Sequence, residues 1–239
     1  MNTLALATAI AALTAGATIA QDVVRLGTEG AYPPYNFIND AGEIDGFERE
    51  LGDELCARAA LTCEWVKNDW DSIIPNLVSG NYDAIIAGMS ITPEREAVID
   101  FTQPYSQPDP SAVASMIDGL DLAGAIVAAQ TGTIQAGHVT DIGATLVEFA
   151  SPDETVAAVR NGEVDAVIAD KAFLEAIVAE DPDLMFIGDD ILLGGGMGLG
   201  IRESDPDLKA TFDTAIQSMK DDGSLNALIT KWLPGSALF

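Results

Sequence analysis

Asp83-Ala84-Ile85-Ile86-Ala87-Gly88-Met89-Ser90-Ile91-Thr92-Pro93-Glu94-Arg95 is the stretch whose reading decides the fold. Ala84 to Ala87 is an apolar run too short for a helix of its own, so it predicts a short buried strand. Gly88 ends it. Thr92-Pro93 then opens a helix, because Thr is a good N-cap and Pro suits the first helical position. A strand running into a helix N-terminus leaves unpaired backbone N–H groups and a partial positive charge, which together seat an anion. Arg95 falls at the third helical position, where the macrodipole disfavours a cation by a few tenths of a kcal/mol. It reads either as a solvated surface residue or as half of a bidentate clamp on a carboxylate.

A second copy of the stretch favours the clamp. Ser79-Gly80-Asn81-Tyr82-Asp83-Ala84-Ile85-Ile86-Ala87-Gly88 is matched by Asn161-Gly162-Glu163-Val164-Asp165-Ala166-Val167-Ile168-Ala169-Asp170. The same offset pairs Ile74 and Leu77 with Val156 and Val159 in the amphipathic helices before each copy. Similarity at this distance predicts two related α/β lobes rather than a short-period solenoid. The first copy ends in Gly88 and Ser90 with Arg95 beyond, and the second ends in Asp170. A cation and an anion thus stand at strand C-terminal ends, where open α/β sheets bind ligands. A zwitterion between them would satisfy both.

Met1 to Ala20 carries no charged side chain and has an apolar stretch from Leu4 to Leu13, so it reads as a signal peptide cleaved near Ala20. No later segment reaches 18 uninterrupted apolar residues, which predicts an exported, soluble chain. With 11 Lys and Arg against 38 Asp and Glu, the formal charge is −27. No basic face remains for nucleic acid or an anionic membrane. Such a charge serves solubility or draws in cationic ligands.

Along the chain, Val23 to Thr28 predicts a first strand, followed by the stiff loop Glu29-Gly30-Ala31-Tyr32-Pro33-Pro34-Tyr35. Asn39 to Gly42 predicts a turn between short strands, Gly46 to Ala60 a helix, and Thr62 to Val66 a strand leading to Trp70. Cys56 and Cys63 flank the junction of that helix and strand, a separation a disulfide spans after a turn. The bridge would contribute about 2–3 kcal/mol. A metal site lacks a third ligand, and His138, the lone histidine, reads as a surface or packing residue. Asp71 to Gly80 predicts a helix kinked at Pro75, and Val98 to Phe101 another strand. Thr102 to Pro110 reads as the first crossing between lobes, and the glycines from Gly194 to Gly200 as a second, flexible stretch that forms the return. Gln130-Thr131-Gly132-Thr133 ends a strand of the second lobe. It lacks the Lys of a phosphate loop, but its amides could hold a carboxylate at a helix start. Lys171 makes a local ion pair or points outward. Ser204-Asp205-Pro206 starts a helix to Lys220, and Ser224 to Trp232 forms a last one.

Together, Gly27-Thr28-Glu29, Tyr32-Pro33-Pro34, Gly46-Phe47-Glu48, the cysteine pair, Trp70-Asp71, Gly88-Met89-Ser90-Ile91-Thr92 with Arg95, and Asp165 to Asp170 resemble one family. It is that of the periplasmic solute-binding proteins (solute-binding family 3) feeding ABC importers of polar amino acids, with the lysine/arginine/ornithine, histidine and opine binders most similar. The resemblance implies the two-lobed α/β type II periplasmic-binding-protein-like fold with two hinge crossings. Lobe 1 would be discontinuous at 21–106 and 198–239, lobe 2 would span 107–197, and the signal peptide 1–20.

It also implies that Arg95 clamps the ligand carboxylate with backbone N–H groups of Ser90 and Thr133. Asp170 would accept from the α-ammonium, beside the Gly88 carbonyl and the Ser90 hydroxyl. Tyr32 and Trp70 would sandwich the ligand side chain, and Glu29 would receive a distal cation, a role the chemistry of cation–π contacts and charge-assisted hydrogen bonds supports. The chain departs from the basic binders at Ala87, where they carry a hydroxyl, and at Gln130, where they have an apolar residue. The implied ligand is a cationic amino acid (arginine, lysine, ornithine or histidine), with an opine or a neutral polar amino acid such as glutamine as the alternative. The implied protein is a monomer in the periplasm, partnered by free amino acid and by permease transmembrane subunits, without cofactor, metal or catalysis. An enzyme on the same scaffold, resembling the cyclohexadienyl dehydratases, is the rival from another class.

Overall fold

A computed structural model of the chain describes residues 23–239. The expected signal peptide lies outside the described residues. The strands gather into two five-stranded sheets and one three-stranded sheet. The first large sheet runs in the order Cys63–Lys67, Val24–Thr28, Ala84–Ile85, Gly200–Ile201, Asp100–Phe101. The second runs Thr145–Phe149, Ile126–Gln130, Ala166–Asp170, Pro110–Ser115, Met185–Leu192. In each, the first three strands are parallel and the fourth and fifth join by antiparallel pairing. The chain enters the second sheet through Pro110–Ser115 and returns to the first through Gly200–Ile201, and these two strands occupy the same place in their sheets.

Both repeated strands are buried on two faces, as parallel strands covered by helices must be. Ala84 and Ile86 join one apolar cluster and Ile85 and Ala87 another, following the period-two alternation of a strand. Ala166 and Ile168 likewise separate from Val167. The repeat extends to hydrogen bonding. Asp83 N–H donates to the Arg25 carbonyl while its carboxylate accepts from Arg25 N–H, and Asp165 treats Ile126 in the same way. Close approach explains Gly27: a Cβ there would lie 2.6 Å from the Tyr82 ring.

Cys56 and Cys63 form the expected disulfide, with their Cα atoms 6.3 Å apart, between the end of helix Phe47–Arg58 and the start of the next strand. Three local expectations need correction. Pro75 kinks nothing, because a 3₁₀ turn at Trp70–Ser72 precedes the α-helix Ile73–Val78 and leaves Pro75 in its first turn, where no N–H is needed. The strand expected from Val98 begins only at Asp100, since Val98 N–H and Ile99 N–H both turn back to the Arg95 carbonyl. The Gly194–Gly200 stretch is tied down rather than loose: Gly195 N–H donates to the Ile91 carbonyl, Ile91 N–H to that of Gly196, and Met197 bridges both Ser90 and Ser106. The sequence reading also missed helix Lys171–Glu180 and strand Met185–Leu192.

Candidate functional site

The C-terminal ends of the two sheets face each other, and all ten residues singled out in the sequence line one cavity between them. Glu29, Tyr32, Trp70, Ala87, Gly88, Ser90 and Arg95 come from the first half of the chain, and Gln130, Thr133 and Asp170 from the second. Ile134 and Gln135 complete the lining, and neither was foreseen.

Arg95 sits where the helix Pro93–Glu96 begins, with Thr92 as the expected N-cap accepting from Arg95 N–H. Its guanidinium donates to the Ser90 carbonyl at 2.8 Å and, across the cleft, to the Gly132 carbonyl at 3.4 Å. It also lies 5.3 Å from the Trp70 ring centroid, a cation–π distance. The cost of burying the cation lowers its pKa to about 10, against the opposing pull of Asp170 and Glu94. A carboxylate brought to this guanidinium would meet a partly desolvated cation whose remaining protein partners are neutral carbonyls.

Asp170 ends the second repeated strand and stands at the N-cap position of helix Lys171–Glu180. An Asp there ordinarily caps the helix. Here its side chain makes no capping bond and is turned into the cavity instead. One carboxylate oxygen accepts from Gln135 Nε2 at 2.9 Å, the other from the Tyr32 hydroxyl at 3.1 Å. The Tyr32 oxygen in turn accepts from Asp170 N–H at 3.0 Å. Burial, reinforced by the nearby Asp109, raises the Asp170 pKa to about 7.

Glu29 follows the first strand directly and accepts from Gln130 Nε2 at 2.6 Å, a buried bond between the two sheets. Burial raises its pKa to about 7, with the Gln130 hydrogen bond opposing. Gln130 also donates to the Ala150 carbonyl at 3.1 Å. Thr133 N-caps the helix Ile134–Asp141, accepting from Ala136 N–H, while its hydroxyl donates to the Gln130 carbonyl. Its own N–H makes only a long 3.4 Å bond to that carbonyl. Gly88 adopts a left-handed conformation with φ +62°, which suits the residue that turns the chain at the strand end.

Both aromatic residues line the cavity, each engaged with the protein. The Tyr32 ring stacks on Phe173 at 4.6 Å and on Tyr35 at 5.8 Å, so with its hydroxyl on Asp170 it covers that carboxylate. Gln135 is the functional-looking residue that sequence reasoning missed. It is buried and donates to both Asp170 and the Ser111 hydroxyl. Its signal was its place at the second position of a helix opening on the site, since helical side chains point back toward the N-terminus. Lys171 forms no local ion pair but reaches Asp190 at 2.6 Å, on strand Met185–Leu192, and His138 does not line the cavity. Among the described residues no cluster of His, Cys, Asp or Glu is arranged to hold a metal ion, and no helix is long and apolar enough to cross a membrane.

Comparison with known proteins agrees with this architecture. A crystal structure of a periplasmic His/Glu/Gln/Arg/opine family-binding protein from Silicibacter pomeroyi in complex with lysine is 69% identical, with a TM-score of 0.88, over 90% of this chain and all of that one. The octopine-binding periplasmic protein of Rhizobium meliloti is 30% identical over 91% of this chain and 92% of its own length. The L-arginine-binding protein of Pseudomonas aeruginosa is 30% identical over 95% and 93%. The architecture is that of the type II periplasmic binding proteins, two lobes with a cleft between them. The model of the bacterial extracellular solute-binding proteins, family 3, matches residues 24–235, and the chain belongs to that family.

Proposed function

We propose that the protein is a non-catalytic receptor for a cationic amino acid (arginine, lysine, ornithine or histidine), which it encloses between its lobes. It would hand that ligand to the transmembrane subunits of an ABC importer. The observation that carries this reading is the charge count of the cavity: one part-buried cation, Arg95, against two buried acids, Asp170 and Glu29. A cationic amino acid carries the complement, one carboxylate and two cations. The lysine-bound relative and the relative named for arginine support the same class, and the relative named for octopine supports the second reading given below.

In this reading Arg95 clamps the carboxylate, aided by backbone N–H groups of Ser90 and Thr133. The α-ammonium takes the place of the Tyr32 hydroxyl on Asp170, beside the Gly88 carbonyl and Ser90. Glu29 receives the distal cation at the end framed by Tyr32, Trp70, Ala87 and Gln130. Lobe 1 comprises 21–106 and 198–239, and lobe 2 comprises 107–197. Ligand that touches both lobes stabilises the closed form, since only differential affinity for one state shifts a conformational equilibrium. The protein acts as a monomer in the periplasm, after loss of the segment 1–20.

Gln130 supports a second reading, because an amide at the far end of the cavity also suits glutamine or an opine. A thermal-shift screen followed by calorimetry with lysine, arginine, ornithine, histidine, octopine and glutamine tests both, since bound ligand raises apparent stability. The largest shift is expected from a cationic amino acid. Tighter binding of octopine or glutamine would replace the first reading by the second. Two acids with pKa values near 7 also suit a general acid, so prephenate and arogenate belong in the same series. Turnover of either would end the non-catalytic assignment.

A further inference from the structure

One acid outside the cavity is sealed in the interior. Glu48 is fully buried at the second position of helix Phe47–Arg58, where the macrodipole favours a negative charge. Among the described residues it makes no ion pair, and three neutral donors hold it instead. Oε1 accepts from Gly88 N–H at 2.6 Å and from the Tyr105 hydroxyl. Oε2 accepts from Asn36 Nδ2 at 2.7 Å, and Asn36 Oδ1 accepts from Gly30 N–H at 2.7 Å.

These donors come from segments with distinct duties. Gly88 closes the repeated strand and lines the cavity, and Gly30 follows Glu29. Tyr105 lies between the last strand of the first sheet before the crossing, Asp100–Phe101, and the first of the second, Pro110–Ser115. Tyr105 N–H bonds the Met197 carbonyl, and Met197 bridges Ser106, so Tyr105 is fastened to both passes of the chain between the sheets. Burial raises the Glu48 pKa, and its three hydrogen bonds oppose that rise. A single oxygen that accepts from both Gly88 and Tyr105 cannot follow one donor without loosening the other.

We propose that Glu48 is a positioning residue that couples the first crossing to the backbone at the ligand end of the cavity, so that rotation between the lobes and the placement of Gly88 change together. The role of this coupling in ligand capture rests on the binding function proposed above, while the coupling itself can be read without ligand.

The test is amide hydrogen exchange, followed by NMR, on the ligand-free protein and its Tyr105→Phe and Glu48→Gln variants. Tyr105→Phe removes one hydroxyl from the crossing, one that meets both Glu48 Oε1 and the Gly88 N–H, and changes no residue that lines the cavity. It is expected to speed exchange at the Gly88 amide about tenfold, the loss of roughly one hydrogen bond's protection, while the Ile86 amide, bonded to the Gly27 carbonyl, keeps its rate. In Glu48→Gln the new amide nitrogen meets Asn36 Nδ2 donor to donor, so Asn36 must turn and Gly30 N–H loses its acceptor. Exchange at Gly30 is expected to rise by a similar factor. Unchanged Gly88 exchange in Tyr105→Phe, equal acceleration at Gly88 and Ile86, or unchanged Gly30 exchange in Glu48→Gln would each overturn the coupling. In stopped-flow binding with lysine as probe, Tyr105→Phe is expected to raise the dissociation rate about tenfold and leave association unchanged. If the wild type binds neither lysine nor arginine, the proposed function fails, and the exchange rates still decide the coupling.

Discussion

The two lobes share a scaffold and differ at its tips. Leu26 pairs with Ala84 in the first sheet and Val127 with Ala166 in the second, and these are corresponding places in the two sheets. Counting from there, Glu29 corresponds to Gln130 and Gly88 to Asp170. The first of these corresponding pairs is in contact: Glu29 accepts from Gln130 across the cleft. The second divides the labour. Where the second lobe ends its strand in a carboxylate, the first ends in a glycine whose chain goes on to a helix bearing Arg95. The polarity of the cavity is therefore written in a handful of positions at and just beyond the strand ends, over two sheets with the same pattern of parallel and antiparallel pairing.

Removing either pole should do the most damage. Arg95→Ala and Asp170→Ala are each expected to weaken binding of the best cationic ligand by at least a hundredfold in calorimetry, because truncating one partner of a buried pair costs about 2–5 kcal/mol. Equal affinity in either variant would break the picture of opposed poles. Glu29→Gln makes the corresponding pair two amides. It should reduce lysine affinity by on the order of ten- to a hundredfold, the worth of a hydrogen bond to a charged group, and spare glutamine. Competition calorimetry with lysine and glutamine reads that change in preference.

The pH dependence sharpens the same contrast. Asp170 and Glu29 both have pKa values raised to about 7, so each holds its proton more tightly folded than unfolded. Their contribution to the ligand-free protein's stability is present in acid and is lost as pH rises through about 7. A cationic ligand needs them ionised, so lysine affinity should move the opposite way and fall about tenfold or more between pH 8 and pH 5.5. Melting curves with and without lysine across that range would show the two trends crossing. The smallest effect on binding is expected from the disulfide, which lies at the opposite end of the first strand from Glu29. Replacing Cys56 and Cys63 together by Ser should cost about 2–3 kcal/mol of stability and leave lysine affinity unchanged.

Much of this is legible in the sequence itself. The repeated Asp-Ala-(Ile/Val)-Ile-Ala strand announced two lobes because its residues are apolar for local reasons, and Thr92-Pro93 announced a helix start for the same cause. Arg95 at a helix N-terminus broke a local rule, and it lies in the cavity. What stayed hidden depends on contacts between distant segments. The helix Lys171–Glu180 follows its strand with no spacer, and its Asp170 spends its carboxylate on Tyr32 and Gln135 rather than on a cap. Strand Met185–Leu192 carries Gly188, Asp189 and Asp190 through an irregularity in its register, residues that argue against a strand until the edge position is known. Stacking of Tyr32 on Phe173 joins the short strand Ala31–Tyr32 to the helix Lys171–Glu180, and no spacing along the chain reports it.

The placement of Gly200–Ile201 also bears on how the molecule assembles. All five strands of the second sheet fall within one continuous stretch, Pro110 to Leu192, so that half can zip up from neighbours in sequence. The first sheet has a gap between Ala84–Ile85 and Asp100–Phe101 that only a strand arriving about a hundred residues later can fill. A chain emerging from its N-terminus must therefore hold its opening strands unfinished until the middle of the sequence has folded and the tail comes back to complete them.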